Sequence, residues 1–177
     1  MTDFFAIPDR WEIPDYVWQQ SFDNMAIDGR HQREGVALWL GDADDHVARA
    51  TQVVLLRGPG VIKRINQLMI SAELMNVVAD AALARELILV GQIHSHHPLA
   101  STDLSYPDRH MGITSPGYLS LVAPDFAQRP KTQLEDCGVH LHEGESGWRR
   151  LPAGEIARRI DMPVRPPLPP LILGGGA

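Results

Sequence analysis

The chain has a single cysteine, Cys137, in 177 residues. One sulfur excludes an intrachain disulfide and a zinc site built on several thiolates. No apolar run approaches the length needed to cross a bilayer, so no membrane contact is expected. The opening stretch MTDFFAIPDR lacks a basic region followed by an apolar core, which argues against a secretory signal and makes a reducing cytoplasm the expected compartment. Positive charge is also scarce. Sixteen Lys and Arg face 22 Asp and Glu, for a net charge of −6, and the basic residues are scattered, with short clusters such as Arg149-Arg150 and Arg158-Arg159. A nucleic-acid partner is thereby excluded from the expectations, because phosphate binding needs a concentrated cationic face.

What is present is ordinary for a folded domain. Hydrophobic residues make up 44% and charged residues 21%, and the length suffices to bury a core without covalent staples. The expected organisation is one domain over 1–162, followed by a tail over 163–177, PVRPPLPPLILGGGA. The tail's Pro and Gly content favours an extended, mobile segment.

The periodicities predict a mixed α/β fold, a central β-sheet flanked by helices. Residues 1–13 read as an irregular lead-in that packs Phe4, Phe5 and Trp11 on the body. Residues 14–28 read as a helix, with Pro14 in its first turn, Val17, Phe22 and Met25 on one face, and Gly29 as its stop. EGVALWLG (34–41) and ARATQVVLLRG (48–58) read as paired strands. Residues 71–86 form the strongest helix signal, capped by Ser71, with Leu74, Val77, Val78 and Ala81 at helical spacing. LILVGQIH (87–94) reads as a buried strand, 117–126 as another, and 134–143 as a half-exposed edge strand with Val139 and Leu141 inward and His140 and His142 outward. SGWRRL continues the sheet, and PAGEIARRI reads as a short helix.

The chemistry gathers in GQIHSHHPLASTDLSYPDRH, residues 91–110. Residues two apart on a strand project from the same face, so His94 and His96 can grip one ion while Ser95 points away. A catalytic zinc takes three protein ligands and keeps one position open. Asp103, Asp108 and His110 compete for the third place. Ser105-Tyr106-Pro107-Asp108 reads as a helix start with Ser105 as N-cap, which would fix Asp108 on a rigid turn folded back over the strand end. Asp108 is therefore the preferred ligand, with Ser105 expected to face either the metal-bound water or the substrate carbonyl. A hydrolytic site also needs a general base. Glu34, at the start of the first strand, suits that role, although residue pattern alone does not separate it from Glu73 or Glu86.

Glu34 ahead of GVALWLG, then GQIHSHHP, then SYPD resembles the JAMM (MPN-plus) metalloprotease pattern of a Glu, H-x-H-P and S-x-x-D. The resemblance runs over roughly residues 14–150, with His97 standing between His96 and Pro98 as a small insertion. It implies a cytidine-deaminase-like JAMM/MPN core and one Zn2+ held by His94, His96 and Asp108. It implies Glu34 as acid/base, Ser105 as the hydrogen-bond donor on the oxyanion side, and a ubiquitin-like protein, free or conjugated, as substrate. The segment DRHMGITSPGYLSLVAPDF is most similar to the bacterial branch encoded beside ubiquitin-like proteins and their conjugating enzymes, the Bil type, associated with antiphage defence. A non-catalytic MPN-type scaffold is the rival expectation. His97, His110 and Asp103 are expected as bystanders and Cys137 as a small buried apolar residue. The tail's LILGGGA is expected to be floppy; the alternative is mimicry of a modifier's C-terminus, with glycines threading a narrow cleft.

Overall fold

The computed structural model of the protein describes residues 7–175. The chain opens with strand β1 (Arg10–Glu12) and helix α1 (Asp15–Gly29), and continues into the hairpin strands β2 (Val36–Ala43) and β3 (Val47–Leu56). A second hairpin follows, β4 (Val61–Arg64) and β5 (Gln67–Ile70), then helix α2 (Ala72–Leu83), β6 (Ile88–Ser95) and the single-turn helix α3 (Tyr106–His110). Strands β7 (Leu119–Ala123), β8 (Gly138–His142) and β9 (Trp148–Arg150) lead to α4 (Ala153–Arg159), β10 (Ile160–Asp161) and β11 (Leu171–Leu173).

The main sheet runs β10-β1-β3-β2-β6-β7-β8-β9, with β11 beside the second half of β3. It is mixed: β6 pairs antiparallel with β2 and parallel with β7. Strand parity divides its side chains between two cores. Ala37, Trp39, Ile93, Leu121 and Val139 pack with Val17 and Met25 of α1 on one face. Val36, Leu38, Val54 and Leu56 pack with Leu74, Val78 and Ala82 of α2 on the other, together with Val61, Leu68 and Ile70 of the β4–β5 hairpin. Ser71 caps α2 as its sequence requires, accepting a hydrogen bond from the Leu74 N–H at 3.2 Å. Val77, expected on the buried face of that helix, is instead 44% exposed.

Three expectations need correction. Residues 10–12 of the lead-in are a strand that pairs parallel with both β3 and β10; Phe4 and Phe5 lie outside the described residues. His140 and His142 are buried, because β9 covers the edge of β8 and a loop lies over its face. The tail is extended but docked. Leu171, Ile172 and Leu173 pair with Val54, Leu55 and Leu56, and Gln20 and Gln52 donate to the Leu168 and Pro169 carbonyls.

Candidate metal centre

His94 stands at the end of β6 and His96 just beyond it, on the α2 side, since Val36 and Leu38 of that core stand beside His94 and Gln92. The strand end is tied down on both sides. The His96 N–H donates to the Ala123 carbonyl at 2.9 Å, and the Phe126 N–H donates to the His96 carbonyl at 2.7 Å. Asp108 arrives from a different element. Its backbone N–H donates to the Ser105 hydroxyl oxygen at 3.3 Å, while its carboxylate accepts from the Ser105 N–H at 2.8 Å and from the Ser105 hydroxyl at 2.7 Å. This capping box locks the carboxylate against the first turn of α3.

The three donor atoms form a triangle. His94 Nε2 and His96 Nε2 are 3.2 Å apart, and Asp108 Oδ2 is 3.4 Å from each. A tetrahedral zinc with ligands at about 2.0–2.1 Å has edges of roughly 3.3–3.4 Å. The triangle is therefore the size of one face of that tetrahedron, and among the described residues His94, His96 and Asp108 are the group spaced to hold a metal ion. His96 Nδ1 lies 2.8 Å from the Ser101 carbonyl, which can only accept. The ring proton is thus held on Nδ1, leaving the Nε2 lone pair for a cation.

The electrostatics fit such an ion. Burial works against the charge on Asp108, but the facing His94 and His96 rings and the Ser105 hydroxyl outweigh it and hold the carboxyl well below the usual range. Burial disfavours protonation of His96, but Asp108, Ser101 and Glu34 pull its pKa upward overall. A pocket that attracts protons to its imidazoles is one in which a cation gains comparable stabilisation.

Glu34 lines the same cleft, of about 300 Å³, as His96, Ser105 and Asp108. Two contacts place it. Its N–H donates to the Arg64 carbonyl at the end of β4, and the next residue, Gly35, donates its N–H to the Ser95 hydroxyl at 2.9 Å. Ser95, read from the sequence only as pointing away from the ligands, thus joins the Glu34 turn to the ligand strand. A side chain at Gly35 would put Cβ 2.7 Å from the Met25 Cα. Glu34 is 7% exposed, and its carboxyl is pushed up to about 7, chiefly by burial, with His96 opposing and the Asp108 charge adding.

Of the remaining candidates, His97 lines the cleft but its Nδ1 accepts from the Leu99 N–H. His110 stacks beside Tyr106 at the surface, and Asp103 pairs with His140 and Arg109. The β4–β5 hairpin, unassigned in the sequence reading, forms one wall of the cleft through Asn66, Gln67, Leu68 and Met69. Its signal was two short alternating runs, VIKR and QLMI, around Ile65-Asn66. Beyond Asp108 the cleft continues into a trough of about 210 Å³ walled by Leu68, Ile70, Met75, Met111 and Ile113.

No family model matches the chain. Its fold is similar to the solution structure of protein DSY2949 from Desulfitobacterium hafniense, with a TM-score of 0.63 over 88% of this chain and 94% of that one, at 13% identity. That likeness is one of fold alone. The chain is also 30% identical over 140 residues to the probable metalloprotease y4jG of Sinorhizobium fredii (strain NBRC 101917 / NGR234), spanning 76% of this chain and 82% of that protein. At that identity and coverage, with its own His-His-Asp triangle in place, the chain belongs to the family of this probable metalloprotease.

Proposed function

We propose that the protein is a metal-dependent peptidase, in finer detail a JAMM-type zinc isopeptidase acting after the C-terminal glycine of a ubiquitin-like protein. The observation that carries the reading is the triangle of His94, His96 and Asp108 donor atoms, 3.2–3.4 Å on a side, opening on a cleft that also holds a carboxyl with a pKa raised to about 7. Two imidazoles and one carboxylate suit Zn2+. When bound there, the cation would supply Lewis acidity to a water and to the scissile carbonyl.

The chain's own residues divide the remaining work. Glu34 takes the proton of the attacking water and returns it to the departing amine. A carboxyl with a pKa near neutral is suited to both transfers. Ser105 lines the cleft with its hydroxyl hydrogen on Asp108; rotation toward the cleft would direct that O–H at the developing oxyanion. The trough beyond Asp108 offers Leu68, Ile70, Met75, Met111 and Ile113 beside the polar groups of Gln92 and Asp108, which suits an extended segment with apolar side chains followed by glycine, because a residue without a side chain can approach the reacting centre most closely. That is the C-terminal chemistry of ubiquitin-like modifiers. The motif resemblance extends the proposal to a bacterial ubiquitin-like system of the Bil type, with antiphage defence as its setting and the cytoplasm as its compartment.

The test is cleavage of a ubiquitin-like protein fused through its terminal Gly-Gly to a reporter. The zinc-loaded protein is expected to release the modifier with an intact C-terminal glycine, to lose activity on chelation, and to regain it with zinc. Cleavage that persists unchanged after the metal is stripped would overturn the reading.

A further inference from the structure

The loop from His97 to Ser105 is anchored to the sheet at Thr102 and Asp103. It crosses the face of β7–β9 in the row where Gln92, Ser120, His140 and Arg150 stand side by side. The contact with β8 is a backbone contact: a Cβ on Gly138 would overlap the Thr102 carbonyl oxygen. Arg150 Nη2 donates to the Thr102 hydroxyl oxygen at 2.9 Å. One residue on, His140 Nε2 donates to Asp103 Oδ1 at 2.9 Å. Burial lowers the pKa of His140 despite the Asp103 charge, so the ring is neutral with its proton on the nitrogen facing the carboxylate. The same Asp103 oxygen accepts from Arg109 Nη2 at 3.0 Å and the Leu104 N–H at 3.1 Å, and Arg109 Nε donates to the Leu104 carbonyl at 3.2 Å.

This cluster lies between the two halves of the metal site. Two residues before Asp103, the Ser101 carbonyl holds His96 Nδ1. Two residues after it, Ser105 begins the capping box that holds Asp108. His96 and Asp108 belong to separate elements, a strand end and a single-turn helix, and the segment carrying Ser101 and Ser105 joins them.

We propose that His140, Asp103 and Arg109 form a positioning clamp that sets the distance between His96 and Asp108, and so the affinity and geometry of the metal site. The inference rests on the proposed metal-binding role of that site. The three residues hydrogen-bond to one another and to Leu104 rather than to the ligand atoms, and act through Ser101, Leu104 and Ser105. Loss of the clamp leaves His96 and Asp108 with their local partners but frees the two halves to move independently, and the open triangle binds less well because the cation must then order it.

The test uses the full chain, stripped of metal and titrated with Zn2+ against a chromophoric chelator, and separately loaded with Co2+ for its visible absorption spectrum. Asp103→Ala is expected to weaken zinc binding by about 10- to 100-fold, as for loss of an outer hydrogen-bond partner of a ligand, and to change the intensity of the Co2+ bands. Its metal-free melting temperature is expected to fall by a few degrees, because the buried His140 loses the partner of its Nε2 proton, so the titrations are run at a temperature where circular dichroism shows the metal-free fold intact. Asp103→Asn, which keeps an oxygen for His140, is expected to restore most of the affinity, and His140→Gln to behave likewise. Zinc affinity and a Co2+ spectrum unchanged in Asp103→Ala would overturn the clamp while leaving the metal site standing. An Asp103→Asn variant as impaired as Asp103→Ala would overturn it too. An unmodified protein that binds no Zn2+ would overturn the metal site, and the clamp with it.

Discussion

Replacing Glu34 with Gln should make the metal-free protein more stable and the enzyme inactive. The carboxyl is nearly buried and its pKa is pushed up from 4.5 to about 7, first by burial and then by the Asp108 charge, against the opposing pull of His96. A displacement of that size corresponds to roughly 3 kcal/mol at about 1.36 kcal/mol per pH unit. Because the folded-state pKa is raised, the native state holds this proton more tightly than the unfolded chain. The associated stability is fully present below about pH 4.5 and is lost as pH rises through about 7. At pH 8 the metal-free protein therefore carries an ionised, poorly solvated carboxylate. The amide of the Glu34→Gln variant keeps the shape and removes the charge. The hydrogen bond recorded at Glu34, from its backbone N–H to the Arg64 carbonyl, is preserved.

The expected result at pH 8 is a metal-free Glu34→Gln protein stabilised by up to about 3 kcal/mol, or roughly 6–12 °C in melting temperature for a domain of this size. The difference should shrink toward zero below about pH 4.5, where Glu34 is protonated in both states, and should narrow when zinc is added, because a nearby cation relieves the cost of the charge. Urea unfolding of chelator-treated protein at pH 5 and pH 8 measures the first effect. Turnover should fall by about 10²–10⁴-fold, the usual contribution of a positioned acid/base. A structural carboxylate behaves oppositely. If the substitution lowered stability at pH 8, or changed it equally at both pH values, the burial argument and the catalytic assignment built on it would both fail.

Chelation should lower the melting temperature of the unmodified protein and leave that of Asp108→Asn unchanged; at free zinc a thousandfold above Kd the bound ion contributes about 4 kcal/mol, which differential scanning fluorimetry resolves. Gly138→Ala should cost about 1–3 kcal/mol, as overpacking does, because its methyl meets the Thr102 backbone carbonyl rather than a side chain that can swing away; thermal melts give the loss directly. Burial, aided by the Asp136 charge, pushes the Cys137 thiol up to about 12, so at pH 8 a thiol reagent should modify it only as fast as the protein unfolds. Deleting residues 163–177 should lower the melting temperature without raising activity, since Leu171 and Leu173 pack on the α2 core; a rate increase with unchanged stability would favour the mimicry idea instead.

Much of the site was readable because its parts obey local rules. His94 and His96 share a face by strand parity. Ser105 and Asp108 make the reciprocal bonds their three-residue spacing allows, and Ser71 caps α2 as its sequence requires. Local rules stop at non-local pairings. Strands β1, β10 and β11 have three, two and three residues, too few to show a period, and each exists because a distant strand presents free backbone groups beside it. The Pro- and Gly-rich tail was assigned mobility for the same reason. Its composition disfavours helix, but only the exposed edge of β3 decides where an extended segment comes to rest. Glu34 could not be chosen over Glu73 or Glu86 from residue pattern. Its position depends on Arg64 at the end of β4 and, through Gly35, on Ser95.

The two His-x-His pairs make the limit concrete. His94/His96 and His140/His142 have the same spacing, the first at the end of β6 and the second within β8 of the same sheet, yet the sequence pattern turns the first toward chemistry and the second toward solvent. Parity was right in both cases: each pair shares a face. Parity does not say what covers that face. Over β6 it is the carboxylate of Asp108. Over β8 it is the loop carrying Thr102 and Asp103, admitted because residue 138 has no side chain and held because His140 meets an acid 37 residues earlier in the chain. Asp103 looked like a bystander for the same reason. In sequence it is one acid in a Ser/Thr-rich loop, but in space it joins the second histidine pair to the first, and the outcome at His96 is set partly by a residue whose own period pointed to water.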